Sequence, residues 1–371
     1  MVCLSEIVSP STTSLPEACV KHKEPAMATT IDDVLDIVHR TGPDLLGGNA
    51  NHAPMVAEAL LTLGRPDAVL PWVEAYKNRF QEHPVSRAPL AYARWQTALG
   101  DRQRLADWVA FFDHVLLATP WQTVLQEWVP RLVPGLMAAA THGLIRTGHA
   151  VRSLAADETP QRLHELAEGL GYWAARYQVL PGTPSGRPTG QSPRAAMQEV
   201  QRLHGPDFDT RGSIVQHMQG LNEYPDFAQT IDLVDTADDL SAWLSELTET
   251  CAGLYLVNPT GVIAFVHAVT APSALRLLLP YLHETDAQLA ARYAWQTCAG
   301  IYAWYATMPP PARGSFTAPS ATPDMLIDRA VAAGGAHTIK LTEACLREYA
   351  LHPQAVYLAA AHDAVQRVGT A

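Results

Sequence analysis

The chain has 371 residues, of which 48% are hydrophobic and 17% charged, and its formal net charge at pH 7 is −11. This composition is typical of a globular protein with a large buried core. The acidic excess, together with the lack of a basic stripe, excludes a nucleic-acid-binding protein.

The five cysteines are scattered and form no CxxC pair: Cys3, Cys19, Cys251, Cys298 and Cys345. This pattern favours a reducing compartment and excludes a cysteine zinc site. No apolar run looks long enough to span a membrane, and residues 1–26 lack the basic start and apolar centre of a signal peptide. We therefore predict a cytoplasmic protein with no membrane partner, in which a disordered extension (1–26) precedes a single domain (27–371).

Apolar residues return every three to four positions through most of the chain, which is the period of an amphipathic helix. The clearest segments are 51–64, 70–80, 104–117, 128–154 and 159–180. Two Pro/Gly-rich segments, around 180–193 and 308–323, predict long loops that are mobile connections or lids over a site. The predicted fold is all-α, a multi-helix bundle with helical hairpins and long Pro/Gly-rich loops.

Two local patterns refine this prediction. The segment 254–269 contains a possible hairpin turn at 258–261, but we predict a helix with Asn258 as its N-cap, ending before Pro272. Leu-Gly and Trp-Val pairs at 63–64 and 72–73 recur 36 residues later, which indicates two similar helical hairpins.

The common catalytic motifs are missing from the sequence. There is no GxGxxG after a strand, no Walker loop, no GxSxG elbow and no HExxH. The sequence therefore gives no support to a nucleotide-cofactor fold or to a zincin.

Four histidines stand inside apolar helical segments: His52, His142, His267 and His337. A single histidine of this kind is usually a core residue bonded to a backbone carbonyl. Four on separate helices favour a metal site inside a bundle, because facing helices can bring their imidazoles together. Neutral imidazoles suit Zn, Fe, Cu and Ni.

Lys340 follows His337 by three residues, so both side chains lie on one helix face. No Asp or Glu stands in an evident position in the four histidine segments to balance the charge of a metal. A buried lysine loses basicity, and its neutral amine can add carbon dioxide to give a carbamate, an anionic ligand. The alternative, which the residues alone favour, is a lysine that snorkels to the surface.

Five segments in order, from Asn51 to about Arg347, resemble the questin oxidase-like family: NHAPMVAEALLTLGR, THGLIRTGHAV, EGLGYWAARYQVLPG, FVHAVTAPSALRLLLPYL and GGAHTIKLTEACLREY. The resemblance implies a helical oxygenase without flavin or haem that uses dioxygen to open a quinone-bearing ring of a polycyclic aromatic, anthraquinone-like polyketide. It also implies one Fe(II) with these ligands: His52, His142, His267, His337 and a carboxylated Lys340.

Two further residues share a helix face with His142. We predict that His149 or Arg146 steadies a developing phenolate or oxyanion, the alternatives being a helix-end residue and a salt-bridged one. The resemblance places a second histidine at the position of Arg146 in many family members. The arginine here therefore implies a different, anionic substrate.

Three aromatic residues of the GYWAARY segment are candidates for substrate binding. Tyr172, Trp173 and Tyr177 are expected to stack on a flat aromatic ligand, and the alternative is that they are core residues.

The predicted function is an iron-dependent oxygenase that opens a ring of a polycyclic aromatic polyketide. One alternative is a Baeyer–Villiger-like monooxygenase of the same family that draws electrons from NADPH. The other is a non-catalytic helical scaffold that binds ligands and whose histidines are core residues.

Overall fold

The computed structural model describes residues 29–205, 211–236 and 239–369. Their fold is all-α, as predicted. The predicted extension 1–26 lies outside the described residues, and the single domain 27–371 stays a prediction. The α-helices are α1 (Ile31–Val38), α2 (Ala53–Thr62), α3 (Pro66–Tyr76), α4 (Leu105–Ala118), α5 (Trp121–Leu132), α6 (His142–Ala156), α7 (Pro160–Ala175), α8 (Pro193–Glu199), α9 (Ile214–Gly220), α10 (Leu240–Val257), α11 (Val262–Leu278), α12 (Glu284–Tyr305), α13 (Pro323–Ala333), α14 (Ala336–Leu351) and α15 (Ala355–Arg367).

Short elements connect these helices. Strands β1 (Thr41–Leu45) and β2 (Phe80–Glu82) form an antiparallel pair that the sequence analysis did not predict. Short segments of 3-10 helix occupy Lys77–Arg79, Tyr92–Ala98, Arg102–Arg104, Val133–Gly135, Leu221–Glu223, Pro225–Asp232 and Leu279–Tyr281. The first predicted hairpin is present as α2 and α3, whereas the second has a 3-10 segment in place of its first helix.

Side-chain caps explain where several helices begin. The Thr30 hydroxyl accepts from the Asp33 backbone, and the Asp33 carboxylate accepts from the Thr30 backbone, which forms a capping box for α1. The Thr159 and Thr322 hydroxyls accept from the backbone of Arg162 and Met325 and so cap α7 and α13, and a proline follows each threonine as the first helical residue.

The helix predicted near 258 exists, but its predicted boundaries are wrong. Asn258 ends α10 instead of starting α11, because its side chain donates to the Leu254 carbonyl and accepts from the backbone of the loop after α12. The helix α11 also continues through Pro272 to Leu278. The carbonyl of Ala268, which Pro272 leaves without its helical partner, accepts from the Cys298 thiol at 3.3 Å.

The helix α11 lies at the centre of the fold, where it packs against α6, α10, α12 and α14. Together with the turn that follows it (Val262–Tyr281), it is long and apolar enough to cross a membrane, contrary to the expectation from the sequence. Most of its apolar window is buried against the neighbouring helices. Its length and composition are therefore those of a core helix.

A second, smaller apolar cluster joins α1, α2 and α3 to the start of α14 through residues such as Val56, Val73 and Ile339. The helix α2 also contacts α6, and α14 contacts α11. The four helices α2, α6, α11 and α14 therefore meet where the two apolar clusters adjoin.

Candidate metal centre

The four histidines predicted to bind a metal come from these four helices. His52 is the N-cap of α2, His142 is the first residue of α6, and His337 is the second residue of α14. His267 comes from the middle of α11. The N-terminal ends of α2, α6 and α14 and the middle of α11 therefore lie at the same place in the fold.

The histidine side chains lie in contact with one another. The Nε2 atoms of His52 and His142 are 2.8 Å apart, and those of His142 and His267 are 3.4 Å apart. The His337 ring lies 4.6 Å from the His52 ring and 5.3 Å from the His267 ring, between centroids. Ligand nitrogens of His52, His142 and His337 all lie within 4.8 Å of one another. We call these four residues and Lys340 the histidine centre.

Hydrogen bonds to backbone carbonyls fix the tautomers of two of these histidines. The Nδ1 atom of His142 lies 2.6 Å from the Ala139 carbonyl, and that of His267 lies 2.7 Å from the Ile263 carbonyl. Because a carbonyl only accepts, each Nδ1 carries the hydrogen and each neutral ring presents a lone pair on Nε2. Two lone pairs therefore face each other at 3.4 Å, an arrangement that a cation between them would stabilise.

An uncommon backbone turn places His142. The three residues before it, Ala139, Ala140 and Thr141, have φ values of 49°, 55° and 72°. Left-handed conformations cost roughly 1–2 kcal/mol for each residue that carries a Cβ. Such a turn persists only where the surrounding structure over-determines it, and here it brings the Ala139 carbonyl to the His142 ring.

The start of α2 is fixed by hydrogen bonds of the Asn51 side chain. The Asn51 side chain accepts from the Ala53 backbone and donates to the Gly42 carbonyl and the Thr41 hydroxyl. The side chain of His52, the formal N-cap, makes no capping bond. Because Asn51 caps the helix and ties it to β1, the His52 imidazole is left to join the centre.

Burial keeps the imidazoles neutral. It lowers the pKa of His267 to about 3, with a smaller contribution from the nearby Lys340 ammonium. Burial, followed by the charge of Lys340, also lowers the pKa of His52 and of His142 well below the usual value. Neutral imidazole is the form that binds a metal.

Lys340 is 2% exposed. It does not snorkel, so the interpretation that the residues alone favoured does not hold. Burial alone lowers its pKa to about 7, and no carboxylate of the described residues offsets that effect. Near neutral pH a large fraction of the Lys340 side chains therefore carries a neutral amine.

The geometry of the histidine centre fits a metal ion. Nitrogen ligands about 2.1 Å from a metal lie about 3.0 Å apart at right angles and about 3.4 Å apart in a tetrahedron. The Nε2–Nε2 separations of 2.8 Å (His52 to His142) and 3.4 Å (His142 to His267) are close to these values. Among the described residues, the group of ligand atoms within 4.8 Å of one another contains histidines and no carboxylate.

His149, predicted to act in catalysis, contacts a buried ion-pair network. Its Nδ1 lies 2.6 Å from a Glu58 carboxylate oxygen, and Arg152 donates to both oxygens of Glu58 and to Glu343. Arg347 also donates to Glu343. We call Glu58, His149, Arg152, Glu343 and Arg347 the ion-pair layer.

Arg146, the second residue predicted to act in catalysis, is salt-bridged. Its guanidinium donates to both oxygens of Glu165, at 2.7 and 2.8 Å, and lies 3.3 Å from Glu168. His39 contacts Glu165 at 3.0 Å and His83 contacts Glu168 at 2.7 Å. We call these five residues the Arg146 cluster. Both carboxylates come from α7, which carries no residue of the histidine centre.

The three aromatic residues predicted to bind substrate do not form a common surface. Tyr172 is 2% exposed and its hydroxyl donates to Asp44, while Trp173 is fully buried and donates to the Gly135 carbonyl. Tyr177 is half-buried, with its ring against Gly135. These contacts match the alternative of core residues, and stacking on a substrate stays a prediction.

Two clefts in the described part of the chain lie away from the histidine centre. The first lies beneath the 308–323 loop, against Glu249, Gly253 and the start of α15, and the second lies at Trp304 and Tyr305. A cleft therefore exists under one of the predicted Pro-rich loops, but no residue of the histidine centre lines it. His337 is the most exposed of the four histidines, and the other three are buried.

Apart from His149, the residues of the ion-pair layer were not predicted from the sequence, and neither were the partners of Arg146. Three charged residues of the layer lie far apart in the sequence: Glu58, Arg152 and Glu343. Each of them alone cannot be distinguished from an ordinary charged residue on a helix. The available signal was their spacing, since they follow His52, His142 and Lys340 by 6, 10 and 3 residues.

A comparison with known protein families identifies the family of the chain. The family model described as questin oxidase-like matches residues 50–345, a span that contains all five residues of the histidine centre. No curated protein matches the chain. The match covers well over half of the chain. The chain therefore belongs to the questin oxidase-like family and is an oxidoreductase, an oxygenase of polyketide pathways that acts on a small aromatic substrate with oxygen.

Proposed function

We propose that this oxygenase depends on iron and that the histidine centre holds one Fe(II). The observation that carries the proposal is the pair of Nε2 lone pairs of His142 and His267, which face each other at 3.4 Å in a buried site. A His52 Nε2–H can donate to His142 at 2.8 Å, but the contact between the two lone pairs themselves is unfavourable and gives the buried core nothing in return. A metal ion converts it into a set of bonds.

We further propose that Lys340 acts as a carbamate. Four neutral imidazoles leave the charge of a divalent ion uncompensated, and the described residues supply no carboxylate at this position. The Lys340 amine is buried and close to neutral at physiological pH. Adding carbon dioxide to this amine turns a costly buried cation into an anionic oxygen ligand.

The helix starts support an anionic ligand at this place. The helices α2, α6 and α14 begin at or beside His52, His142 and His337, so their N-terminal ends adjoin the centre. The partial positive charge of a helix N-terminus favours an anion and disfavours an ammonium. A carbamate on Lys340 and a phenolate of the substrate would both be stabilised there.

The proposed reaction is the oxidative opening of one ring of a polycyclic, anthraquinone-like polyketide. Bound Fe(II) would supply the electron density that activates dioxygen toward the electron-rich ring. The Nε2 atom of His142 lies 2.8 Å from that of His52 and 3.4 Å from that of His267, and the apolar helices around them exclude bulk water. We propose that the substrate approaches on the side of His337, the most exposed of the four histidines.

The setting and the source of electrons complete the proposal. We place the protein in the cytoplasm, in line with three free buried cysteines, Cys251, Cys298 and Cys345. No observation in the described residues favours NADPH, which would be the electron source of a Baeyer–Villiger-like monooxygenase.

The test is oxygen uptake with an anthraquinone-like phenol by protein reconstituted with Fe(II) and bicarbonate. We expect Lys340→Ala and His337→Ala each to abolish uptake while the helical circular dichroism is retained. Full activity in either variant would contradict the proposal. Uptake that requires added NADPH would favour the monooxygenase instead.

A further inference from the structure

The ion-pair layer touches every helix that contributes to the histidine centre. Glu58 belongs to α2, His149 and Arg152 to α6, and Glu343 and Arg347 to α14. Arg347 also donates to the Ser273 carbonyl of α11, six residues beyond His267. Four helices are therefore joined by one set of hydrogen bonds.

Arg152 is the residue that spans the layer. Its Nε and Nη2 donate to Glu58, and its Nη1 donates to Glu343. The planar guanidinium offers donors in a fixed fork, so it sets the distance and the angle between the two carboxylates. Arg152 thus links α2 to α14, the helices that supply His52 on one side and His337 with Lys340 on the other.

The layer is buried and its charges are balanced. Glu58 is 7% exposed and Glu343 is 2% exposed. Burial itself raises the pKa of each carboxyl, but the Arg152 guanidinium lowers that of Glu58 to about 2, and Arg347 with Arg152 lowers that of Glu343. Both carboxylates are thus held by arginines in the layer, and neither belongs to the group of ligand atoms at the histidine centre.

The layer lies about two to three turns from the histidines along each helix. Six residues separate Glu58 from His52, which is about 9 Å of helix at about 1.5 Å per residue. A tilt of α2 by about 5° around the layer would move His52 by about 0.8 Å. Sites of this kind function within about 0.5 Å of the productive geometry, so small tilts matter.

We propose that Arg152 is a positioning residue for the metal ligands, because its bridge between Glu58 and Glu343 fixes His52 relative to His337 and Lys340. The inference rests on the proposed function in one respect, that the histidine centre binds a metal. It adds a role for a residue that contacts neither metal nor substrate.

A matched control distinguishes positioning from general stability. Arg194 pairs with Glu249 across α8 and α10, and neither of these helices carries a residue of the histidine centre. The two arginine side chains have the same exposure, 17%, and the partner carboxylates are 2% and 3% exposed. Arg152→Met and Arg194→Met therefore remove equally buried charges at different places.

In the experiment, the metal-free full chain is titrated with Co(II) in bicarbonate buffer. The visible spectrum and the dissociation constant of cobalt are recorded. The melting temperature of the metal-free protein is measured in parallel. Removing a group that orients metal ligands typically weakens metal binding about 10- to 100-fold. We expect this loss, together with a changed cobalt spectrum, in Arg152→Met. We expect Arg194→Met to bind cobalt within twofold of wild type even where its melting temperature falls as far.

Two further variants test the bridge in case Arg152→Met does not fold. Arg152→Lys keeps the charge but cannot span both carboxylates, and Glu343→Gln keeps the volume but weakens the bridge. We expect each to bind cobalt at least threefold more weakly than wild type. Wild-type affinity in all the bridge variants that fold, or an equal loss in Arg194→Met, would overturn the role of Arg152.

The outcomes separate this inference from the proposed function. Cobalt bound equally by wild type and by Arg152→Met contradicts the positioning role alone. Cobalt binding with the expected loss in Arg152→Met, but without iron-dependent oxygen uptake, contradicts the oxygenase mechanism alone. A wild-type protein that binds no metal contradicts both.

Discussion

Two buried polar groups adjoin the helix α6, and they satisfy their charges in different ways. In the Arg146 cluster, Glu165 and Glu168 are paired with one arginine and two histidines within 3.3 Å. In the histidine centre, by contrast, basic nitrogens face one another beside a buried lysine, without a carboxylate among the described ligand atoms. The first group is complete with protein side chains alone. We propose that the second is completed by a metal and an anion.

The residues of α6 therefore have different roles. Arg146, four residues after His142, serves the packing of α6 on α7, whereas His142 serves the centre. Arg152 supports the centre indirectly through the ion-pair layer. A helix that reads as one amphipathic segment in the sequence therefore divides into structural and functional positions.

We expect the largest loss of stability when the ion pairs of the Arg146 cluster are removed. Arg146→Met leaves two buried carboxylates without their arginine, so we expect the free energy of unfolding to fall by about 3–5 kcal/mol. We expect its metal content to remain that of wild type. Urea denaturation and elemental analysis of the same preparation check both points, and Glu165→Gln in the Arg146→Met background should restore part of the stability. Loss of metal in folded Arg146→Met would place this residue at the centre after all.

Removing a bound metal with a chelator tests the histidine centre. A ligand at about 100 times its dissociation constant stabilises the folded state by about 2.7 kcal/mol, which corresponds to about 3–4 °C in melting temperature for a chain of 371 residues. We expect a chelator to lower the melting temperature of wild type by this amount and to have no effect on His267→Ala. Equal melting temperatures of wild type with and without chelator would favour the scaffold interpretation.

The lysine provides a pH test of the same group. Burial lowers the pKa of Lys340 from 10.5 to about 7. Between these values the unfolded chain holds a proton that the folded, metal-free protein has released, so the free energy of unfolding rises with pH. In chelator and carbon dioxide-free buffer, we expect the stability of wild type relative to Lys340→Met to rise by about 2 kcal/mol from pH 7 to pH 9. Parallel curves for the two proteins would mean that the ammonium is not desolvated.

The smallest effect concerns the aromatic residues outside both groups. Tyr172 donates a hydrogen bond to Asp44 and is almost fully buried. We expect Tyr172→Phe to lower the free energy of unfolding by about 1 kcal/mol, the contribution of a typical hydrogen bond. A raised KM with unchanged stability would instead support the predicted stacking on the substrate.

The sequence predicted the helical fold and the membership of the histidine centre, because both depend on local patterns. Periodic apolar residues predict helices, and a histidine within such a run, as at His267, indicates a buried imidazole. The burial of Lys340 depends on helices that pack on α14 from elsewhere in the chain, so the residues alone favoured the wrong alternative.

Other features depend on contacts between distant segments and could not be read from one sequence. Pro272 predicts a helix end, but the Cys298 thiol bonds the carbonyl that the proline leaves free, and the helix continues. The left-handed turn at 139–141 contains no glycine to reveal it. The carboxylates that pair with Arg146 come from another helix, which is why the sequence could not decide between its catalytic and salt-bridged roles.

The central claim is that the histidine centre is a metal site completed by Lys340, and the most direct measurement is the metal content of anaerobically purified protein by elemental mass spectrometry. The account predicts close to one iron per chain in wild type, lost in His267→Ala and in Lys340→Ala. Zinc in place of iron would contradict the oxygenase mechanism. No bound metal, even after reconstitution with Fe(II) and bicarbonate, would contradict the metal site itself.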